Sequence, residues 1–165
     1  MPHDNTDGST ALDTIAAAVH ETWRALARQE GWSMQPHLDR PFADLAPADQ
    51  DDNRAAARRI PAVLALAGLD SQPIAGSTPL PTAELTAILG QHMEAMAEAE
   101  HDGWMAHRAA TGWRHGPTRD DARKLHPAMI PYAQLPEKEK QKDRNNVRHY
   151  PDFLARAQRH IVPKP

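Results

Sequence analysis

The chain of 165 residues contains no cysteine. That removes disulfide staples, thiolate metal ligands and a thiol nucleophile together, and nothing in the composition calls for an oxidising compartment. No stretch approaches the roughly eighteen consecutive apolar residues of a membrane span. The opening MPHDNTDGST lacks the basic start and apolar run of a signal peptide, so a soluble cytoplasmic protein with no membrane partner is expected. There is no Gly-x-Ser-x-Gly, no Gly-rich phosphate loop and no His-Glu-x-x-His. Ten histidines are present, but no pair of them is backed by a ligand set of metal spacing. No catalytic residue, metal or cofactor is therefore expected, and the chain reads as a non-enzyme. Asp120-Asp121 beside Arg119 reads as an ion pair or turn anchor in a loop rather than as acid/base machinery.

Charge of one sign is also scarce, the net being -3. Its distribution is uneven: residues 1–112 carry 7 Lys or Arg against 16 Asp or Glu, and residues 113–165 carry 12 against 6. Duplex nucleic acid does not fit, because such a partner needs many phosphate contacts from a basic surface. The basic C-terminal third is either a set of solvated helix faces or a local attraction for an anionic ligand.

Aromatic residues are few, 5% of the chain, and their placement is informative. VHETWRALARQEGW, Val19–Trp32, and EHDGWMAHRAATGW, Glu100–Trp113, both read His, two residues, Trp, eight residues, Trp, with Gly before the second Trp. A shift of 81 aligns them; farther on a shift of 90 aligns Pro41-Phe42 with Pro131-Tyr132, and Arg54, Arg58, Pro61 and Leu64 with Arg144, Arg148, Pro151 and Leu154. The second copy thus holds nine extra residues within 114–126, which is where a loop is expected to protrude. All four tryptophans fall on equivalent positions, so the chain reads as an internal duplication.

The fold expected is mainly α: two helix-loop-helix repeats related by a pseudo-two-fold axis, with little or no β. Leu12, Ile15, Val19, Trp23 and Leu26 form one apolar stripe, with a helix start near Asp13-Thr14 and an end at Gly31. In the second copy Thr82 is the candidate N-cap and Gly112 the end. Second helices begin near Pro47 and Pro136, and Pro61 and Pro151 should kink or break them. The boundaries read as a disordered 1–10, a first repeat over 11–69, a linker over 70–81 and a second repeat over 82–162, with both repeats forming one globular unit.

On a helix, His101, Trp104 and Arg108 share a face, as do His20 and Trp23, although Ala27 stands where the matching arginine would be. Packed about a two-fold, the indoles of Trp23 and Trp104 could bracket a flat aromatic group, with His20, His101 and Arg108 as polar handles; the alternative is that these rings are core. Trp32 and Trp113, at the helix exits, read as core. Arg144, like Arg54, is either a structural clamp or a phosphate partner.

The second copy resembles the RYR domain, the repeat module of ryanodine receptors that also occurs in bacterial and phage proteins. The resemblance rests on His101, Trp104, Arg108, Gly112-Trp113, Arg119-Asp120, His126-Pro127, Pro131-Tyr132, Leu135-Pro136 and Lys140. The first copy is a degenerate version that keeps His20, Trp23, Gly31-Trp32 and Pro41-Phe42. The resemblance implies a helical tandem repeat without a catalytic centre, whose paired repeats form a cleft for adenine nucleotides and drug-like aromatics bracketed by Trp23 and Trp104. The function expected is binding of a nucleotide-like small molecule, as a sensor with an effector protein partner or as a sequestering protein. The alternative is a protein-protein interaction module using the same cleft.

Overall fold

The computed structural model describes residues 6–165, with side chains from Thr10 onward. The protein is mainly helical. Helix α1 spans Thr6–Glu30, α2 Pro47–Ala65, α3 Thr82–Ala110, α4 Glu137–Arg148 and α5 Tyr150–Arg156. Four short strands accompany them: β1 Leu69–Pro73, β2 Arg114–His115, β3 Leu125–His126 and β4 Arg159–Pro163. Helix α1 packs on α2 and α5, α3 on α4, and α2 meets α3 across the middle. One core joins these helices through Ile15 and Val19 of α1, Ile60 and Leu64 of α2, Met93 and Met96 of α3, Val147 of α4, and Tyr150 and Phe153 of α5.

Helix α1 begins at Thr6, ahead of the Asp13-Thr14 start that the sequence suggested. Asp13 is not capping a helix. Its carboxylate pairs with Arg54 Nε of α2 at 2.7 Å, and Thr14 Oγ1 donates back to the Thr10 carbonyl at 2.9 Å inside a continuing helix. The stretch 1–10 expected to be disordered lies, for residues 1–5, outside the described residues.

Both first helices end as read. Gly31 and Gly112 adopt φ of 69° and 93°, a left-handed conformation that glycine enters without a Cβ penalty. The following tryptophan N–H then turns back: Trp32 N donates to Ala27 O at 2.8 Å and Trp113 N to Arg108 O at 2.9 Å. This six-residue closure satisfies a carbonyl that the helix end would leave unpaired, and it accounts for the glycine at the same place in both segments.

The prolines diverge. The second copy breaks at His149, so that Pro151 opens α5. Helix α2 instead continues through Pro61, so no break occurs there; Ile60, Val63 and Leu64 on either side are buried, and their packing offsets the local cost of the proline.

The linker expected over 70–81 is in part a strand. β1 pairs antiparallel with β4, Leu69 opposite Pro163, Ser71 opposite Ile161 and Pro73 opposite Arg159. Since Ser71 and Ile161 are 90 positions apart, each strand meets its own repeat equivalent in reverse, and a two-fold through that centre would carry one strand onto the other.

The extra residues of the second copy also behave differently from expectation. β2 and β3 pair in parallel, a bridge joins Asp120 to Leu125, and Arg123 N donates to Asp120 Oδ1 at 3.0 Å. Exposed Pro117, Thr118, Ala122 and Arg123 form the outer rim. Arg119 and His126 turn inward, so the segment forms a wall rather than a simple protrusion.

Candidate functional site

A cavity of about 280 Å³ lies between the two copies. Equivalent residues border it from both sides: His20 and His101, Trp23 and Trp104, Asp49 and Glu139, and Asn53 and Asp143. The lower part of the α1 stripe, Trp23 and Leu26, leaves the core and reaches this cleft half-buried. On α3, Trp104 is one turn from both Glu100 and Arg108, so all three border the cleft along one helix face.

The histidines are held identically. His20 and His101 are 3% and 2% exposed, and each places Nε2 at 2.7 Å from a backbone carbonyl, Arg40 or Ile130, directly before the Pro-aromatic element. A carbonyl can only accept, so Nε2 carries the proton in both rings. Each imidazole lies flat behind its indole, at 5.9 Å and 26° for His20–Trp23 and 5.5 Å and 25° for His101–Trp104. These rings therefore orient the tryptophans more than they offer handles. His101 also faces Asp143 through Nδ1 at 3.5 Å. Burial pulls His101 down, but the Asp143 carboxylate and the Ile130 carbonyl outweigh it and hold the ring above its ordinary value. Asp143 is itself pushed up by burial.

Arg108 is not at an exposed site. Its side chain is 14% exposed, it meets Asp52 at 3.3 Å, and its guanidinium lies 4.6 Å from the Trp113 ring centre and 5.8 Å from that of Trp104. Burial draws it below the ordinary arginine value against the opposing pull of Asp52. Its repeat equivalent, Ala27, is buried, and Arg24 and Arg28 of the first copy both reach Asp39 instead of the cleft.

Arg144 sits elsewhere. It binds Glu94 through Nε at 2.6 Å and also pairs with Glu137, and it does not border the cavity. Its equivalent makes the same bond: Arg54 to Asp13 matches Arg144 to Glu94 at both ends. Both carboxyls are held below their usual range, first by these arginines. Trp32, expected in the core, is half-buried, borders the cleft and carries the Lys142 ammonium 5.1 Å from its ring centre. Trp113 is half-buried as well, so neither member of the Gly-Trp pair is a core residue.

The sequence reading missed the cleft's polar floor. Glu100, 2% exposed, accepts from Arg59 Nη2 at 2.7 Å, from Asn146 Nδ2 at 2.9 Å and from the Tyr150 hydroxyl. Burial first, then the Glu100 charge, pushes the Tyr150 hydroxyl well above its ordinary value. Arg59 reaches Glu100 across α3 at Gly103, where a Cβ would collide with the arginine Cδ. A signal was present: Glu100, Asn146 and Tyr150 stand where the first copy has Val19, Ala56 and Ile60. Polar residues at three positions that the other copy fills with apolar ones are bonded to one another.

The match to known families settles what kind of module this is. Residues 78–162, just over half of the chain, match the RyR domain family. The chain belongs to the RyR domain family. The matched segment of this RyR domain contains α3, the wall, α4, α5 and all but the last residue of β4, and with them the second-copy side of the cleft. Among the described residues no group of three His, Asp or Glu is placed to hold a metal ion, and no helix is long and apolar enough to cross a membrane.

Proposed function

We propose that this RyR domain protein binds a nucleotide-like small molecule in the cleft between its copies and acts in the cytoplasm as a sensor or sequestering protein without a catalytic step. The observation that carries this reading is that Trp23 and Trp104, each backed by a carbonyl-anchored histidine, border one cavity. An indole fixed on one face by an imidazole leaves its other surfaces for a ligand ring, and base-aromatic stacking contributes about 1–3 kcal/mol per base. A cavity of about 280 Å³ suits one aromatic group rather than a helix laid in an open groove. The non-enzymatic reading is supported by His20 and His101, whose Nε2–H groups are engaged with backbone carbonyls.

The test is mass spectrometry of small molecules that stay with the purified protein and are released on denaturation. An aromatic, ultraviolet-absorbing compound carried by the wild type and lost in Trp104→Ala is the expected result. Equal amounts carried by both proteins would reject the cleft as its site. No compound in either, together with no response of the tryptophan fluorescence to a nucleotide panel, would reject the small-molecule reading.

A further inference from the structure

The histidines that back the two indoles belong to copies that differ at one equivalent position of the second helix. In the second copy that position is Asp143 of α4, whose Oδ2 lies 3.5 Å from His101 Nδ1, and both residues border the cleft. In the first copy it is Asn53, which also borders the cleft and donates from Nδ2 to the Asp49 carbonyl at 3.0 Å. A carboxylate in one copy and an amide in the other set different requirements on rings that are otherwise held alike.

His101 meets an acceptor at each ring nitrogen. Nε2 donates to the Ile130 carbonyl at 2.7 Å, and Nδ1 faces the carboxylate. A neutral imidazole carries a single N–H, so a bare Nδ1 lone pair would lie against carboxylate oxygens, whereas an imidazolium donates from both nitrogens. Asp143 makes the complementary demand. Its side chain is 18% exposed, and among the described residues His101 is the one group paired with it. A carboxylate withdrawn from water with a single partner needs that partner charged, or must take the proton itself. Either way the pair holds one proton more than a neutral imidazole beside an ionised carboxyl. The other ionisable groups around it are Glu100 and Asp102 of α3, Arg59 of α2 and Tyr132. Arg59 is already matched by Glu100 at 2.7 Å, so none of these supplies the missing positive charge.

We propose that Asp143 is a positioning residue for Trp104, acting through His101: the proton that the pair shares keeps the imidazole between the Ile130 carbonyl and Asp143, and so keeps the Trp104 indole set against the cleft. This role rests on the small-molecule function proposed above. The imidazole is stacked on the indole, ring centres 5.5 Å apart and planes at 25°. Loss of the proton sets the Nδ1 lone pair against the carboxylate at a buried site, and the imidazole must turn or recede, withdrawing the surface on which Trp104 rests. Burial draws His101 down, but Asp143 and the Ile130 carbonyl raise it on balance, and Asp143 is itself raised by burial, so both members hold a proton more readily than usual. A folded value above the ordinary one means that the proton is fully held below about pH 6.5 and leaves as pH rises through the folded value. The second copy's grip therefore weakens on the alkaline side. His126, whose ring centre is 5.0 Å from that of Trp104, is lowered by burial to about 4 and titrates on the acid side, apart from this step.

The test is NMR of the His101 ring nitrogens and of the indole Nε1–H signals, assigned with Trp23→Phe and Trp104→Phe, from about pH 6 to the alkaline limit of folding. As the shared proton leaves, the Trp104 indole signal is expected to shift or broaden in step with the His101 nitrogens. Asp143→Asn, which installs the first copy's residue, should remove that step and leave the Trp23 signal as it was. No step at Trp104 in the wild type, or a step that survives Asp143→Asn, overturns the proposal; the wild-type titration decides this even where the variant does not fold. Adenosine, an uncharged aromatic probe that does not titrate in this range, reads the effect on binding by calorimetry. The wild type should bind it roughly threefold or more tightly at the acid end than at the alkaline end, and Asp143→Asn should lose that difference. Equal affinity at both ends in a wild type that shows the NMR step overturns the positioning role. If adenosine binds at neither end, the failure lies with the small-molecule function, and the NMR step alone decides the role of Asp143.

Discussion

The first copy and the second copy share a frame and differ in what they put into the cleft between them. Both close a long helix with Gly-Trp, anchor a histidine on the carbonyl before a Pro-aromatic turn, and tie that helix to the next with an Arg-carboxylate pair, Arg54–Asp13 in one and Arg144–Glu94 in the other. Where the first copy has Val19, Ala27, Ala56 and Ile60, the second has Glu100, Arg108, Asn146 and Tyr150. The positions the two segments share supply paired indoles, and those at which they differ supply a polar floor and a cationic end to one side only. A ligand held by equivalent rings can thus still have a single orientation.

The largest effect expected from breaking this difference is at Glu100. Glu100→Val, which restores the first copy's residue, leaves Arg59 buried without its partner and should cost about 3–5 kcal/mol in chemical denaturation. Adding Arg59→Met should recover a large part of that loss, because replacing both members of a buried pair is far less costly than removing one. An Arg59→Met addition that makes the protein still less stable would show that Glu100 and Arg59 act separately.

A smaller effect is expected at His126, which has no counterpart in the first copy. Its folded-state value, about 4, lies below the ordinary histidine value, because burial and nearby cations oppose the charged ring. The unfolded chain therefore binds the extra proton first, so the stability contributed by the neutral ring is fully present above about pH 6.5 and is lost as pH falls toward 4. After discounting for partial exposure the loss is on the order of 1–2 kcal/mol. His126→Asn keeps an acceptor for the Ala128 N–H but does not titrate. Urea midpoints should therefore converge between wild type and variant as pH drops through that window; a constant gap would mean that His126 titrates normally.

The smallest effects should come from the shared frame. Arg54→Ala and Arg144→Ala each remove a tie to a largely exposed carboxylate, and their melting temperatures should fall slightly and alike. A loss of ligand affinity in Arg144→Ala alone would return that arginine to the cleft.

The helices and their glycine ends were legible in the sequence because periodicity and turn chemistry are local. The Asp13-Thr14 start failed because a residue suited to capping was instead engaged by Arg54, a partner 41 positions away. Strands β1 and β4 went unread for the same reason: LDSQP carries no alternation, and its pairing partner lies in the other copy. In the cleft, Trp23 and Trp104 were legible from repeat and helical face together, whereas the role of Trp32 was not, since neither burial nor the neighbouring Lys142 is written in spacing. The wall showed only as a length difference, and its inward Arg119 and His126 depend on how the loop folds back.

The central claim, that one ligand ring is gripped by an indole from each copy, is tested most directly by a double-mutant cycle on affinity. The ligand is the compound released from the purified protein, and the proteins are wild type, Trp23→Ala, Trp104→Ala and the double variant. Each single substitution should weaken binding by about 1–3 kcal/mol while leaving the protein folded. The two losses should not add, because a ring freed on one side can reorient and reduces what the other indole contributes. Additive losses of stability with no change in affinity would contradict the account, placing the tryptophans in two separate cores.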